Sequence, residues 1–213
     1  MEVQFEEELH RVLPLDLPHR VRLIEKAVQH LQMIESANEY MNLTRITSPQ
    51  EAAIKHVYDS VAPWRYFQNA KRILDAGTGA GFPGVPLSIV LPEVRFTLAE
   101  SIGKKARFVD SVADALDLGN VQVLAERAES LALTQRVDTI TARALAPISR
   151  HIELFGPALK NGAQLLLYKG PDVESEIAEA RNNRIKAEVL YRYDLPNGMG
   201  TRSLVHLGTA QGR

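Results

Sequence analysis

Residues 73–84 read ILDAGTGAGFPG, a turn in which side chains nearly vanish between two apolar flanks. Such a stretch lets a ligand lie against the backbone, and Gly79-x-Gly81-x-x-Gly84 matches the dinucleotide-binding fingerprint letter for letter. Glu100 stands close to the spacing of an acid that takes ribose hydroxyls. Asp75, two residues before Gly77, argues for a different ligand. A carboxylate at the tip of the first strand is expected to project toward whatever the loop holds, where it would repel a pyrophosphate. S-adenosylmethionine carries an ammonium and a sulfonium, which that acid attracts. Two other readings stay open: Asp75 as a cap or brace of the loop, and a nicotinamide- or flavin-dependent enzyme.

The elements that must position these residues alternate along the chain. Short, branched, apolar runs over 72–76, 94–100, 121–125, 137–142 and 163–168 are predicted strands, and residues 86–91, 104–118 and 148–160 carry helical patterns. That order implies a mostly parallel sheet with helices on both faces. It then stops: 187–195 and 201–208 are two strands separated only by PNGMG, an antiparallel terminal hairpin. Upstream, Val21, Ile24, Val28, Leu31, Ile34, Ala37 and Met41 recur at helical spacing over 19–41. Ser48, with Pro49 and Glu51 behind it, signals a second, short helix running to about residue 60. The expected architecture is an α/β, Rossmann-like, mostly parallel seven-stranded sheet over residues 66–213, with an N-terminal helical appendage over residues 1–65 packed on it.

Bulk composition narrows the partners. Lys and Arg number 25 against 26 Asp and Glu, so a polyanion must meet a local patch rather than a generally basic molecule. The absence of cysteine removes disulfides, thiolate metal sites and cysteine nucleophiles together. The six histidines show no ligand spacing, so no metal is expected. The acidic start, MEVQFEEELH, lacks the features of a secretory signal, and no run approaches the ~20 apolar residues of a membrane span. A cytoplasmic protein with no membrane partner is expected.

The stretch LDAGTGAGFPGVPLSIVLPEVRFTLAESIGKKARFV, with NLTRITSPQEAAIKHVYDSVAP before it and TARALAP after it, resembles the bacterial small-subunit (16S) ribosomal RNA guanine-N7 methyltransferases, the family first named glucose-inhibited division protein B. The resemblance implies a class I S-adenosylmethionine-dependent methyltransferase fold and S-adenosylmethionine as donor. It further implies methylation of a guanine N7 in small-subunit rRNA; the modest charge adds the expectation of a folded substrate, an assembled or assembling subunit, and no obligate protein partner is inferred. The family's cofactor positions fall on Gly77, Phe82, Ala128, Glu129 and Arg143; Asp75, Gly79 and Glu100 join them from the reading of the loop. Gly77 would admit the methionine portion, Phe82 would pack on the cofactor or simply in the core, and Ala128 and Glu129 would read adenine. Arg143 would pair with the cofactor carboxylate, a nearby acid or a target phosphate, and serve a positioning role. The segment holding Asn42, His56 and Asp59 lies over the active-site mouth in this family. Asn42 and His56 are therefore candidates to orient the base, with a helix cap and a structural histidine as the plainer alternatives, and Asp59 reads as a local brace.

Guanine N7 has an exposed lone pair and needs no general base. Pyrimidine-C5 methylation usually works through a cysteine, and exocyclic-amine methylation through an Asn/Asp-Pro-Pro-aromatic turn where this chain reads RALAP; both are missing. Candidate RNA contacts are Lys104, Lys105, Arg107, Arg150 and Lys169, with a further run at Arg181, Arg184, Lys186 and Arg192. Tyr168 could stack a base. A nicotinamide-dependent oxidoreductase, a non-catalytic RNA-binding protein and a small-molecule methyltransferase remain rival readings.

Overall fold

The computed structural model describes residues 2–46, 48–180 and 185–209. Arg181 and Arg184 lie outside the described residues. Seven strands, β1 (Arg72–Ala76), β2 (Arg95–Ala99), β3 (Val121–Leu124), β4 (Thr139–Arg143), β5 (Gln164–Lys169), β6 (Ile185–Asp194) and β7 (Thr201–Thr209), form one sheet in the order β3-β2-β1-β4-β5-β7-β6. The first five run parallel, and the expected hairpin closes with Leu195 N–H donating to Gly200 O at 2.8 Å. β7 enters between β5 and β6, antiparallel to both.

Side-chain alternation along the strands builds two apolar layers. Ile73, Phe96, Leu98, Leu166 and Tyr168 face one side, where α1 (Glu2–Val12), α2 (Arg20–Met41), α5 (Gly84–Val90) and α6 (Gly103–Ala115) cover them. Leu74, Ala76, Ile140, Ala142, Leu165 and Leu167 face the other, under α7 (Ala128–Thr134), α8 (Ile148–Lys160) and α9 (Val173–Glu179). α7 and α9, of seven residues each, were not predicted from the sequence. The α2 stripe is buried from Leu23 to Ala37, whereas Val21 is exposed. No helix among the described residues is long and apolar enough to cross a membrane.

The helix predicted after Ser48 is present but not uniform. It begins as α3 (Pro49–Glu51), with Ser48 Oγ accepting from the Glu51 N–H at 3.2 Å. It widens into a π-helical turn over Ala52–Tyr58 and ends as α4 (Asp59–Val61). In the wider turn the Asp59 N–H reaches back to Ile54 O, five residues away. Such turns are rare and occur often at functional sites.

Strand parity also decides the direction of Asp75. It shares the face of Ile73, beneath α5, and is fully enclosed. Its Oδ2 accepts from Thr78 Oγ1 at 2.7 Å and from the Gly84 N–H at 2.8 Å. The expectation that this carboxylate projects toward a ligand is thus corrected: it braces the glycine loop from inside. Gly84 is required for closeness rather than for an unusual dihedral angle. A Cβ there would stand 2.2 Å from Leu98 Cδ2 and 2.6 Å from Asp75 Oδ2. Gly84→Ala is therefore expected to lower the unfolding free energy by about 3 kcal/mol, measured by urea titration; an unchanged midpoint would remove the brace from the account.

Candidate active site

Four strands present side chains of one parity toward the helical run that contains the π turn. Arg143, at the end of β4, donates through Nη1 to the carbonyls of Lys55 (2.8 Å) and His56 (3.4 Å) and lies 3.4 Å from Asp59 Oδ2. Tyr168 of β5 donates to Ser60 O at 2.6 Å, and Tyr193 of β6 donates to Asp59 Oδ1 at 2.8 Å. Arg202 of β7 places Nε 3.6 Å from Asp59 Oδ2. Asp59 is only 2% exposed, so its charge is held by two guanidiniums and a phenol in place of water. The neighbouring carboxylate and burial push the Tyr193 hydroxyl far above its ordinary pKa, which keeps it a donor.

A cleft of about 670 Å³ opens beside this hub, above the carboxyl ends of β4, β5 and the start of β7. Lys55, Arg143, Lys169 and Arg202 line it against two acids, Asp59 and Glu176, so it favours an electron-rich or anionic group. A second cleft, of about 300 Å³, lies over the glycine loop and is bordered by Gly77, Ala128, Glu126, Glu129, Arg127 and Arg150. Leu145 and Ala146 line both clefts and form the wall between them. Leu145 reaches this position because Ala144 turns the chain in the left-handed region, φ 55°, at the end of β4.

The glycine loop fits the adenosyl sulfonium donor of the sequence reading. Gly77 and Gly79 hold φ of 70° and 63°, and Gly77 borders the cleft, where a Cβ would stand 2.8 Å from Leu145 Cδ1 in its wall. Ala128 opens α7 and Glu129 sits in its first turn, where a backbone N–H and a carboxylate lie together. Glu100, at the end of β2, is buried and accepts from the Ile102 N–H through Oε1.

A family model described as rRNA small subunit methyltransferase G (GidB) matches residues 23–201. The chain belongs to this family. A ribosomal RNA small subunit methyltransferase G from Solibacter usitatus is 54% identical over 95% of this chain and 99% of its own length. The one from Staphylococcus saprophyticus is 36% identical over 88% and 84%. Among solved structures, cofactor-bound Rv0187 from MTB superposes with a TM-score of 0.59 at 15% identity, covering 86% of this chain and 91% of that one. A MtNAS variant in complex with S-adenosylmethionine gives 0.56 at 16%, covering 86% and 72%. The fold is that of the class I S-adenosylmethionine-dependent methyltransferases.

Within this family frame, several residues sit differently from the sequence expectation. Phe82 cannot pack on a cofactor, because His30 and His56 stack on its ring at 4.7 and 4.5 Å and the Arg143 guanidinium lies 5.4 Å away. Asn42 is the exposed C-cap of α2, φ 51°, and borders neither cleft. Arg143 joins the larger cleft and the helical run rather than the glycine loop, taking the nearby acid among its three possible partners. Lys169 is not an exposed RNA contact: it is 9% exposed, and its Nζ donates to Ala146 O and Glu176 Oε2, both at 2.7 Å. Arg150 borders the glycine-loop cleft and pairs with Glu153 at 2.6 Å. Lys104 and Arg107 are exposed at the start of α6, and Lys105 is half-buried. Sequence reasoning missed Leu145, Lys55, Arg202, Glu176 and His30. Leu145 stood in the noted motif RALAP and Lys55 in the motif that holds His56 and Asp59; Arg202, Glu176 and His30 carried no local signal of a site.

The histidine stack gives the site an acid limit. Burial lowers His30 to about 4, and burial together with the Arg143 charge lowers His56 to about 3. Both folded values lie below that of the unfolded imidazole, so their stabilisation is complete above pH ~6.5 and is lost as pH falls toward 4 and 3. Asp75, which burial raises to about 6, works in the opposite sense between about pH 4 and 6. Acidification from pH 7 to 4 is expected to lower the unfolding free energy, with His56 alone responsible for on the order of 3 kcal/mol. Urea titrations of wild type and His56→Gln at both pH values check this: the variant's drop should be smaller, and equal drops contradict the assignment.

Proposed function

We propose that the chain transfers the methyl group of S-adenosylmethionine to N7 of one guanine in small-subunit (16S) ribosomal RNA, acting in the cytoplasm on an assembled or assembling subunit and needing no obligate protein partner. The observation that carries this reading is the meeting of two clefts at Leu145 in a chain of this family: one lies over the glycine loop, and the other is lined by Lys55, Arg143, Lys169 and Arg202. Guanine N7 as the target atom is supported by the likeness of the loop and flanking motifs to guanine-N7 methyltransferases.

When bound, S-adenosylmethionine supplies an electrophilic methyl group on a sulfonium. Gly77 and Gly79 give up side-chain volume beside it, the Ala128 N–H and the Glu129 carboxylate suit adenine, and Glu100 suits the ribose hydroxyls. Membership of a methyltransferase family disfavours the nicotinamide reading. The cation-bordered cleft receives the base. N7 attacks with its own lone pair, so the protein must align it and exclude water rather than remove a proton. His56, neutral at working pH, walls the base cleft without adding charge. The base must leave its stack or already be unpaired to reach this depth. Lys104, Lys105, Arg107 and Arg150 serve the surrounding phosphates; with a near-neutral chain, this is a modest grip suited to a folded ribonucleoprotein.

Mass mapping of rRNA methyl groups, before and after incubation with this protein and S-adenosylmethionine, tests the reading. One new N7-methylguanine is expected, formed faster on hypomethylated subunits than on protein-free rRNA; no transfer to any guanine N7 would refute it. Gly77→Asp is expected to abolish S-adenosylhomocysteine binding by calorimetry while keeping the far-UV spectrum, because a charged side chain would enter the cleft. Undiminished affinity would dismiss the loop as the donor site.

A further inference from the structure

Two acids border the base cleft, and they differ in what remains available. Asp59 is saturated: one oxygen accepts from Tyr193 and the other faces Arg143 and Arg202. Glu176, on α9, is anchored by one oxygen only. Its Oε2 accepts from Lys169 Nζ at 2.7 Å and from the Ile148 N–H at 3.1 Å, while Oε1 has no hydrogen-bond partner among the described residues. The side chain is 31% exposed and borders the cleft beside Lys169, whose own Nζ is fixed to Ala146 O in the wall shared with the glycine-loop cleft. A carboxylate bordering the cleft is thus anchored through one oxygen, and the other is left to accept.

The geometry points to Glu176 as the residue that selects guanine, by accepting from the base's N1–H and exocyclic N2–H. This assignment rests on the function proposed above. Guanine alone among the RNA bases offers two adjacent donors on its pairing edge. Adenine presents a lone pair at N1 and has no N2 amine, so the same carboxylate repels it although adenine also carries an N7. A negative charge at that edge has a second effect. N7 becomes cationic as the new bond forms, and a carboxylate across the ring stabilises that charge in the transition state. The surrounding lysine and arginines cannot do this. Glu176 therefore both discriminates and offsets the repulsion of a cation-bordered cleft for a product that is itself a cation.

The test pairs one substitution in the protein with one in the RNA. Small subunits are assembled with guanosine or inosine at the mapped target; inosine keeps N1–H, O6 and N7 and lacks only the N2 amine. Wild type is expected to lose about 10- to 100-fold in kcat/KM on inosine. Glu176→Gln keeps an oxygen for Lys169 and the Ile148 N–H, and presents an amide NH2 where the free acceptor stood. It is expected to fold normally and to show a guanosine-to-inosine ratio about 10- to 100-fold smaller than that of wild type. The intrinsic difference in N7 reactivity between the two bases cancels in comparing the ratios. Equal ratios in wild type and Glu176→Gln, or no inosine penalty in wild type, would overturn the assignment. Absence of N7 transfer to guanosine by wild type would instead refute the function it rests on.

Discussion

A single buried carboxylate governs the geometry of this molecule. Asp59 is sealed from water, and its charge is tolerable only because Arg143, Arg202 and Tyr193 converge on it. Those three partners come from β4, β7 and β6, so satisfying one side chain locks the helical run before β1 across the carboxyl edge of the sheet. The π turn belongs to the same constraint. Arg143 donates to the carbonyls of Lys55 and His56 within that turn, and Ser60 Oγ donates to His56 O at 2.5 Å. A buried ionic cluster of this kind gives little net stability over an apolar one, but removal of one member leaves an uncompensated charge. Its value is positional.

The two clefts follow from that frame. One wall of the larger cleft is the helical run itself, through Lys55, His56 and Asp59; the other is the turn after β4. The smaller cleft depends on the glycine loop staying flat against the sheet, which Asp75 secures by holding both Thr78 and the first N–H of α5. An acid at the tip of β1 is thus used as a tie within the loop, and the acids that border the ligand space, Glu126 and Glu129, stand at the end of β3 and the start of α7. Charge differs between the two: acids and arginines balance over the glycine loop, whereas cations outnumber acids in the larger cleft. A chain with a formal net charge of −1 can therefore offer a polyanion a local welcome without general attraction.

His30, Phe82 and His56 form a stack of three rings between α2, the glycine loop and the π turn. His30 also holds Ala80 O at 2.8 Å, and His56 holds Thr44 Oγ1 at 3.1 Å. The stack couples the floor of the donor cleft to the helical segment through packed, uncharged groups. Ring-nitrogen methylation asks for such an arrangement, because the acceptor brings its own electron pair and the protein contributes alignment and dryness rather than proton transfer.

The sequence by itself determined the order of strands and helices, the terminal hairpin, the glycine loop and the family, since each is written in local periodicity or in a contiguous motif. The positive φ of Gly77 and Gly79 belongs to the same class, because a tight glycine turn depends on conformation within a few neighbours. Only the tertiary structure decided that β7 lies inside β6, that Asp75 turns inward, that Phe82 is enclosed by imidazoles, and that Lys55, Arg202 and Glu176 border one cleft. Arg143 meets residues more than eighty positions earlier, and Tyr193 meets one 134 positions earlier. Which face a strand-end side chain joins is set by pairing register and by what packs above it. Both are properties of the assembled sheet, and no stretch of chain contains them.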